Sequence, residues 1–291
     1  MKRRLFICSA CLSTFVYASS GLRLYQAPMD DSTWVVSEST PLACQLDHVI
    51  PSFGVAHFVS KASRHINLDF SLDMRRLPAI THKVLLRSVP PPWRPGRSAK
   101  TVAKLNFYKQ FDGRLHDQPA WEMLSELDSG NFPTFYFNDW YSGGGATAVG
   151  LSAINFRSHY DKFMQCVSQL LPYSFNDIAF TVLNYKQNSD QLTKESKAKL
   201  TMVGNYVKND PKVDMIVING YTDSYGGRYP NQKLSESRAK SVKQFFVTKG
   251  FDGNKVKVTG YGEKRFIASN QTLLGREKNR RVVISLGKEN G

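Results

Sequence analysis

The hydrophobic pattern of this 291-residue chain changes its period once, close to Pro172. Before that proline, apolar residues alternate with polar ones in several short runs, which is typical of half-buried strands. After it, amphipathic helical stretches alternate with short runs rich in Val and Ile, which is typical of an α/β arrangement. A chain of this length can hold two ordinary domains. The change of period therefore predicts two domains of different fold class.

The first part reads mainly as strands. The clearest alternation covers residues 66–74, where five apolar residues are separated by single polar ones. Shorter alternations at residues 103–107 and 134–137 predict two further strands. Clusters of Pro and Gly separate these runs and indicate turns. We expect a mostly antiparallel sheet or a barrel-like β domain over residues 21–151.

A helix is expected to close the first part. Six apolar residues fall on one face at helical spacing: Phe156, Tyr160, Phe163, Val167, Leu170 and Leu171. Pro172 should end this helix because proline has no backbone N–H and clashes with the preceding turn. We place the domain boundary there, which gives an N-terminal domain over residues 21–171 and a C-terminal domain over residues 172–291.

The second part has the predicted element order β-α-β-α-β-β. The expected strands cover residues 178–183, 213–219, 256–258 and 281–286, and the expected helices cover residues 192–207 and 234–249. Gly250 is suited to end the second helix, since glycine readily adopts the left-handed conformation found at helix C-termini. A polar loop at residues 222–230 is expected before that helix.

The first 20 residues have the composition of a signal peptide. Three consecutive cations at residues 2–4 precede a short apolar run, and small residues follow at 18–20. A short buried helix or a lipoprotein signal are the alternative interpretations. Export to the periplasm is therefore expected. No run of about 20 apolar residues occurs, so no membrane-spanning helix is expected.

Export decides how the cysteines are interpreted. Removal of the signal leaves only Cys44 and Cys166. Two cysteines in an oxidising compartment predict one disulfide, and two buried free thiols are the alternative. A Cys44–Cys166 bridge would pin the helix at residues 156–171 to the start of the β domain.

The net charge of +15 does not identify a partner. A basic surface often indicates nucleic-acid binding. In the periplasm the available polyanions are instead the cell wall and the outer-membrane headgroups, so no nucleic-acid partner is expected.

Arg238 occupies an unusual position in the helix predicted at residues 234–249. On a helical wheel it falls within the apolar arc. A buried arginine must be paired or must meet a ligand. Asp223 is the best nearby acid, because it follows the strand at 213–219 and its loop returns directly to this helix. The pair could clamp a zwitterion, with Asp223 on an ammonium and Arg238 on a carboxylate, or it could form a plain salt bridge.

Several short motifs occur in a fixed order between residues 175 and 286. They are Gly220-Tyr221-Thr222-Asp223, Asn231-Gln232-Lys233-Leu234-Ser235-Glu236-Ser237-Arg238-Ala239, Gly260-Tyr261-Gly262-Glu263, Asn270-Gln271-Thr272, Gly275-Arg276 and Asn279-Arg280-Arg281-Val282. This set resembles the OmpA-like C-terminal family. Tyr221, Pro230 and Phe266 depart from the usual pattern, but none of them removes a charged partner.

The OmpA-like resemblance implies a peptidoglycan-binding domain. Its ligand would be the diaminopimelate residue of the stem peptide, held by Asp223 and Arg238. Supporting contacts would come from Thr222, Asn231 and Leu234. The resemblance implies no cofactor and no metal. Asn279, Arg280 and Arg281 are expected either to assist or to tie the last loop to the sheet.

The N-terminal part carries a second resemblance. Trp34 is followed by Cys44-Gln45-Leu46, Ile50-Pro51-Ser52-Phe53-Gly54, Leu68-Asp69-Phe70-Ser71-Leu72-Asp73-Met74-Arg75-Arg76 and Ile154-Asn155-Phe156-Arg157. Together with the signal and the C-terminal motifs, these resemble the MotY family. The resemblance implies a periplasmic part of the sodium-driven polar flagellar motor, which forms a ring with a MotX-like partner at the basal body and helps place the stator complexes. The N-terminal domain would contact the partner.

Two other functions stay open at this stage. One is a passive structural link between wall and outer membrane. The other is a wall hydrolase. Against it, no acidic residue stands at zinc-ligand spacing from His57 and His65, and Ser142 is not part of a Gly-x-Ser-x-Gly motif. Trp93, Arg94 and Arg97 follow a proline run and are either partner contacts or a solvated loop.

Overall fold

The computed structural model describes residues 21–94, 96–140, 145–186 and 189–288. The predicted signal peptide and Ser142 lie outside these residues. In the first part, the described residues form ten strands. In chain order they are β1 (Arg23–Gln26), β2 (Trp34–Ser39), β3 (Ala43–Ile50), β4 (Gly54–Lys61), β5 (Asp69–Met74), β6 (His82–Val89), β7 (Lys100–Phe107), β8 (Gly113–His116), β9 (Phe132–Asn138) and β10 (Ala146–Gly150).

These strands form two five-stranded sheets, with the orders β1-β10-β9-β6-β7 and β2-β3-β4-β5-β8. All the pairs are antiparallel except β1 with β10, which run parallel. The expected mostly antiparallel β fold is therefore confirmed. The strand predicted from residue 66 begins only at Asp69, because Ile66 lies in the preceding loop and is exposed.

The two sheets enclose one apolar core. Phe70 of β5 stacks on Phe135 of β9 with ring centroids 5.6 Å apart, which joins the sheets across their inner faces. Two helices, α1 (Gln118–Asp128) and α2 (Phe156–Ser168), add their apolar faces to the same core. Alternation along the strands thus buries one face of each sheet and leaves the other face to solvent.

A disulfide joins Cys44 of β3 to Cys166 of α2, with their Cα atoms 6.0 Å apart. The predicted bridge is confirmed, and it pins α2 to the second sheet as expected. The helix ends at Ser168, three residues earlier than predicted. Leu171 instead donates its N–H to the carbonyl of Pro41. A residue that precedes proline is sterically disfavoured in the helical conformation, which explains the early end.

The second part is a four-stranded sheet with the order β11-β14-β12-β13. Its elements are the strands β11 (Phe180–Asn184), β12 (Val213–Gly220), β13 (Val256–Gly260) and β14 (Arg281–Lys288), and the helices α3 (Phe175–Ile178), α4 (Lys194–Asn209), α5 (Arg228–Thr248) and α6 (Leu273–Asn279). β12 and β13 are parallel, whereas β14 runs antiparallel to both β11 and β12. Apolar residues of α4, α5 and the sheet share one core.

The predicted order β-α-β-α-β-β is confirmed, with the short helices α3 and α6 in addition. Several predicted boundaries were wrong, among them those at Ile178 and Leu234. Ile178 ends α3 instead of starting a strand, because Ser174 and Asp177 form a capping box at the start of that helix. The long helix begins at Arg228 and not at Leu234. None of the helices within the described ranges is long and apolar enough to cross a membrane.

Candidate functional site

The candidate site forms where the end of β12 meets α5. Gly220 is the last residue of β12, and a Cβ atom there would collide with the backbone carbonyl of Ser235 on α5. Only glycine therefore permits this close approach. It places the loop that carries Thr222 and Asp223 against the first half of α5, which carries Arg238.

Arg238 is buried, with only 2% of its surface exposed. Its guanidinium lies over the ring of Tyr185, 4.5 Å from the ring centroid, and Nη2 donates to the carbonyl of Ser189. Its Nε and Nη1 donate to no acceptor among the described residues. Burial lowers the pKa of Arg238, yet an arginine side chain stays protonated in proteins. A buried cation with unmet donors is an energetically costly arrangement that an anion would relieve.

Tyr185 supports this arginine as a neutral phenol. Burial raises the pKa of Tyr185 to about 12. Its hydroxyl donates to the backbone carbonyl of Arg238 at 3.4 Å. The backbone of Tyr185 follows β11 directly, and its hydroxyl is bonded to α5, so the ring is held between the two elements. It gives the guanidinium a stacking surface that is independent of any ligand.

Asp223 is paired with Arg280 and not with Arg238. Its Oδ2 accepts a hydrogen bond from Arg280 Nη1 at 2.8 Å, and both side chains are only 11% exposed. Oδ1 accepts from the backbone N–H of Tyr225 at 3.0 Å. No ion pair joins Asp223 to Arg238 within the described residues, so the plain Asp223–Arg238 salt bridge was the wrong alternative. No local sequence signal identifies this partner, because Arg280 comes close to Asp223 only through the pairing of β12 with β14, in which Gly220 lies opposite Val282.

The other three predicted residues lie around this pair. Thr222 is buried, donates its N–H to the carbonyl of Gly262 at 2.8 Å, and has a hydroxyl with no partner in the described part of the chain. Asn231 Nδ2 donates to the carbonyl of Asp223 at 3.4 Å and to Glu263 at 3.1 Å. Leu234 is half-buried on α5, one turn before Arg238.

Two residues of the last motif hold the loop after β13 in place, Asn279 from the end of α6 and Arg281 from the start of β14. Asn279 Oδ1 accepts from the N–H groups of Ile267 and Ala268, and its Nδ2 donates to the carbonyl of Ala268. Arg281 lies over the ring of Tyr221 at 3.9 Å and donates to the carbonyl of Arg265. Burial lowers the pKa of Arg281. Their contacts match the second interpretation given above, in which they hold the loop in place.

The described residues contain no group of three or more His, Cys, Asp and Glu side chains that could hold a metal ion. His57 lies between two carboxylates, 2.6 Å from Asp47 and 3.3 Å from Asp73, and its contact with Asp47 raises the pKa of the imidazole. Trp93 is 52% exposed, as expected, and its ring meets the edge of Phe132.

The arrangement suits a ligand that carries both charges. The unmet donors of Arg238 can bind a carboxylate. Asp223 keeps acceptor capacity beyond its bond to Arg280, since an ionised carboxylate offers about four lone-pair sites. A small zwitterion could therefore occupy both groups at once.

Two family models match the two parts of the chain separately. The family model of the MotY N-terminal domain matches residues 25–172, and that of the OmpA family matches residues 184–280. The sodium-type flagellar protein MotY of Vibrio parahaemolyticus is 48% identical over 95% of this chain and 94% of its own length. The probable lipoprotein YiaD of Escherichia coli is 39% identical over 36% of this chain and 47% of its own length. The crystal structure of the C-terminal domain of Helicobacter pylori MotB covers 38% of this chain and 85% of its own, with 24% identity and a TM-score of 0.34.

Proposed function

Because the chain belongs to the MotY family, with a MotY N-terminal domain followed by an OmpA domain, we propose that it is a non-enzymatic periplasmic component of the sodium-driven flagellar motor. Residues 172–291 bind peptidoglycan and serve as the anchor. Residues 21–171 contact a MotX-like partner at the basal body, form a ring with it and help install the stator complexes.

The proposed anchoring role rests mainly on the burial and the unmet hydrogen-bond donors of Arg238. A buried guanidinium with two donor nitrogens that meet no acceptor in the described chain is poised for an anion. The free end of diaminopimelate carries an ammonium and a carboxylate on one carbon. Arg238 receives that carboxylate, and Asp223 shares its own carboxylate between the ammonium and Arg280. Thr222, Asn231 and Leu234 complete the walls.

A retention assay on purified sacculi tests the anchoring role. The protein should sediment with sacculi that contain diaminopimelate and fail to sediment with sacculi that carry lysine in its place, because lysine lacks the second carboxylate. Arg238→Lys keeps the charge but loses the planar donor set, and Asp223→Asn removes the anion. Each variant should lose at least about tenfold in retention, which corresponds to one charge-assisted contact.

The control for this assay is Lys240→Gln, an exposed position on the same helix, which should retain wild-type binding. Folding of every variant is checked by thermal unfolding, since Asp223→Asn also removes the partner of Arg280. Undiminished retention of folded Arg238→Lys and Asp223→Asn would refute the zwitterion clamp.

The motor role is tested separately by purification of basal bodies. The protein should co-purify with them and should still do so when Arg238 is replaced by Lys, because the partner contact belongs to the N-terminal part. Absence from basal bodies would favour a passive link between the wall and the outer membrane.

A further inference from the structure

A cavity of about 570 Å³ adjoins the candidate site. Its walls are the first turn of α5 and the turn after β13, and they include Arg228, Tyr229, Gln232, Tyr261, Glu263 and Lys264. Two hydrogen bonds join this cavity to the zwitterion site. The carbonyl of Gly262 accepts from Thr222, and Glu263 accepts from Asn231. The cavity therefore lies directly beside the loop that carries Thr222 and Asp223.

The lining of this cavity carries more positive than negative charge. Arg228 and Lys264 are exposed, and neither has a carboxylate within ion-pair distance among the described residues. Glu263 is the only acid among the lining residues. It accepts one hydrogen bond from the neutral amide of Asn231 and keeps its negative charge. The amide of Gln232 donates to the carbonyl of Gly260 and to Glu236. The two exposed cations outnumber the one carboxylate of the lining, so the cavity favours an anionic ligand.

The aromatic lining adds an open platform beside these cations. The ring of Tyr261 is covered, since it stacks on Tyr221 at 5.2 Å and meets Arg265 at 4.3 Å. Tyr229, in contrast, is 71% exposed, and Lys233 lies near its ring, with Nζ 5.5 Å from the centroid. The cavity therefore combines an apolar surface with two cations, which fits a peptide segment bearing one carboxylate.

We propose that Arg228 and Lys264 bind the α-carboxylate of the D-glutamate that precedes diaminopimelate in the stem peptide. This rests on the proposed function, because diaminopimelate must occupy Asp223 and Arg238 first. In the stem, D-glutamate is linked through its γ-carboxyl, so its α-carboxyl is either a free anion or an amide. The protein therefore binds peptidoglycan with a free D-glutamate α-carboxylate more tightly than peptidoglycan in which this group is an amide.

The test uses two synthetic tripeptides that differ at one group. One is L-Ala-γ-D-Glu-meso-diaminopimelate, and the other carries D-isoglutamine in place of D-glutamate. Titration calorimetry with the purified protein should show about fivefold tighter binding of the free acid, the size expected of an exposed ion pair. In the double variant Arg228→Gln/Lys264→Gln the ratio should fall to about one.

A matched double variant, Lys197→Gln/Lys240→Gln, removes the same charge from exposed positions on α4 and α5 and should keep the fivefold ratio. Equal binding of the two peptides by the wild type, or a ratio that survives in Arg228→Gln/Lys264→Gln, would overturn the inference while leaving the zwitterion site intact. If the wild type binds neither peptide, the proposed function fails and the inference fails with it.

Discussion

At the scale of single residues, Gly220 sets how closely the two sides of the site approach. A Cβ at this position collides with the backbone of Ser235, which cannot rotate away. Gly220→Ala should therefore push α5 from β12, lower the free energy of unfolding by about 1–3 kcal/mol and weaken wall retention. Urea unfolding and the sacculus assay measure the two effects.

The control for this substitution is Gly253→Ala. A Cβ at Gly253 would meet the Val247 side chain at 3.4 Å, an ordinary contact, and nothing else nearer. It should leave both stability and retention within experimental error of the wild type. A Gly220→Ala protein as stable as Gly253→Ala would contradict the close approach described above.

His48 makes stability depend on pH. Burial lowers its pKa to about 4. The neutral ring stacks on Trp34. Its Nδ1–H donates to the carbonyl of Thr33, and its Nε2 accepts from the N–H of Ser152. Between about pH 6.5 and 4 the unfolded chain binds a proton at this residue and the folded chain does not, so folding weakens as pH falls through that window.

The expected size of this effect is about 3 kcal/mol between pH 7 and 4, from the difference between the two pKa values. His48→Gln cannot titrate and should lose that part of the slope. Urea unfolding at a series of pH values measures both proteins. Because His57 and the other titrating groups are common to both, the difference between the curves isolates His48. Parallel curves would contradict the assignment.

The sequence could identify Arg238 and Asp223 but not how they are paired. The helical wheel places Arg238 on the buried face because that depends only on local periodicity. The partner of Asp223 depends on strand order, which is a non-local property. Arg280 reaches Asp223 because β14 inserts beside β12, although the two residues lie 57 positions apart.

At the scale of elements, the disulfide is the strongest single constraint in the first part. It closes a loop of 122 residues between β3 and α2. The chain-entropy model gives such a closure about 4–5 kcal/mol, chiefly by restricting the unfolded chain. Cys44→Ser/Cys166→Ser should lower the free energy of unfolding by roughly that amount, as measured by urea unfolding without reductant.

A comparison with the reduced wild type separates the stability that comes from the cross-link from the stability that comes from packing of the sulfur atoms. Reduction and the double substitution should shift the unfolding midpoint by similar amounts, since both remove the cross-link and keep most of the packing of α2. A shift only in the substituted protein would assign the effect to packing around Cys166.

The main strands and long helices of the second part followed from the sequence, but the short helices and several ends did not. Pro230 looks like a loop residue, yet it is the third residue of α5, where its missing N–H has no intrahelical acceptor to lose. The reverse error occurs near Ile178, whose apolar run suggests a strand although Ser174 and Asp177 cap a short helix there. Local side-chain bonds decide both cases, and periodicity does not detect them.

At the scale of the whole molecule, the change of period at Pro172 reflects two separate apolar cores. The sequence could predict that division because each core imposes its own period on its own segment. It could not predict that β1 pairs in parallel with β10, since the two strands are more than a hundred residues apart. Pairing at such separation is set by the assembled sheet and not by local pattern.

The anchoring role of the C-terminal part and the docking role of the N-terminal part should also be separable in the cell. If the C-terminal part anchors and the N-terminal part docks, Arg238→Lys should leave the protein at the basal body but reduce the swimming fraction, because the ring then lacks its grip on the wall. Fluorescent fusions report the location, and swimming in sodium medium reports the output. Lys240→Gln should match the wild type in both. Loss of polar location in Arg238→Lys would show that wall binding also governs docking, whereas unchanged swimming would show that the motor does not need this anchor.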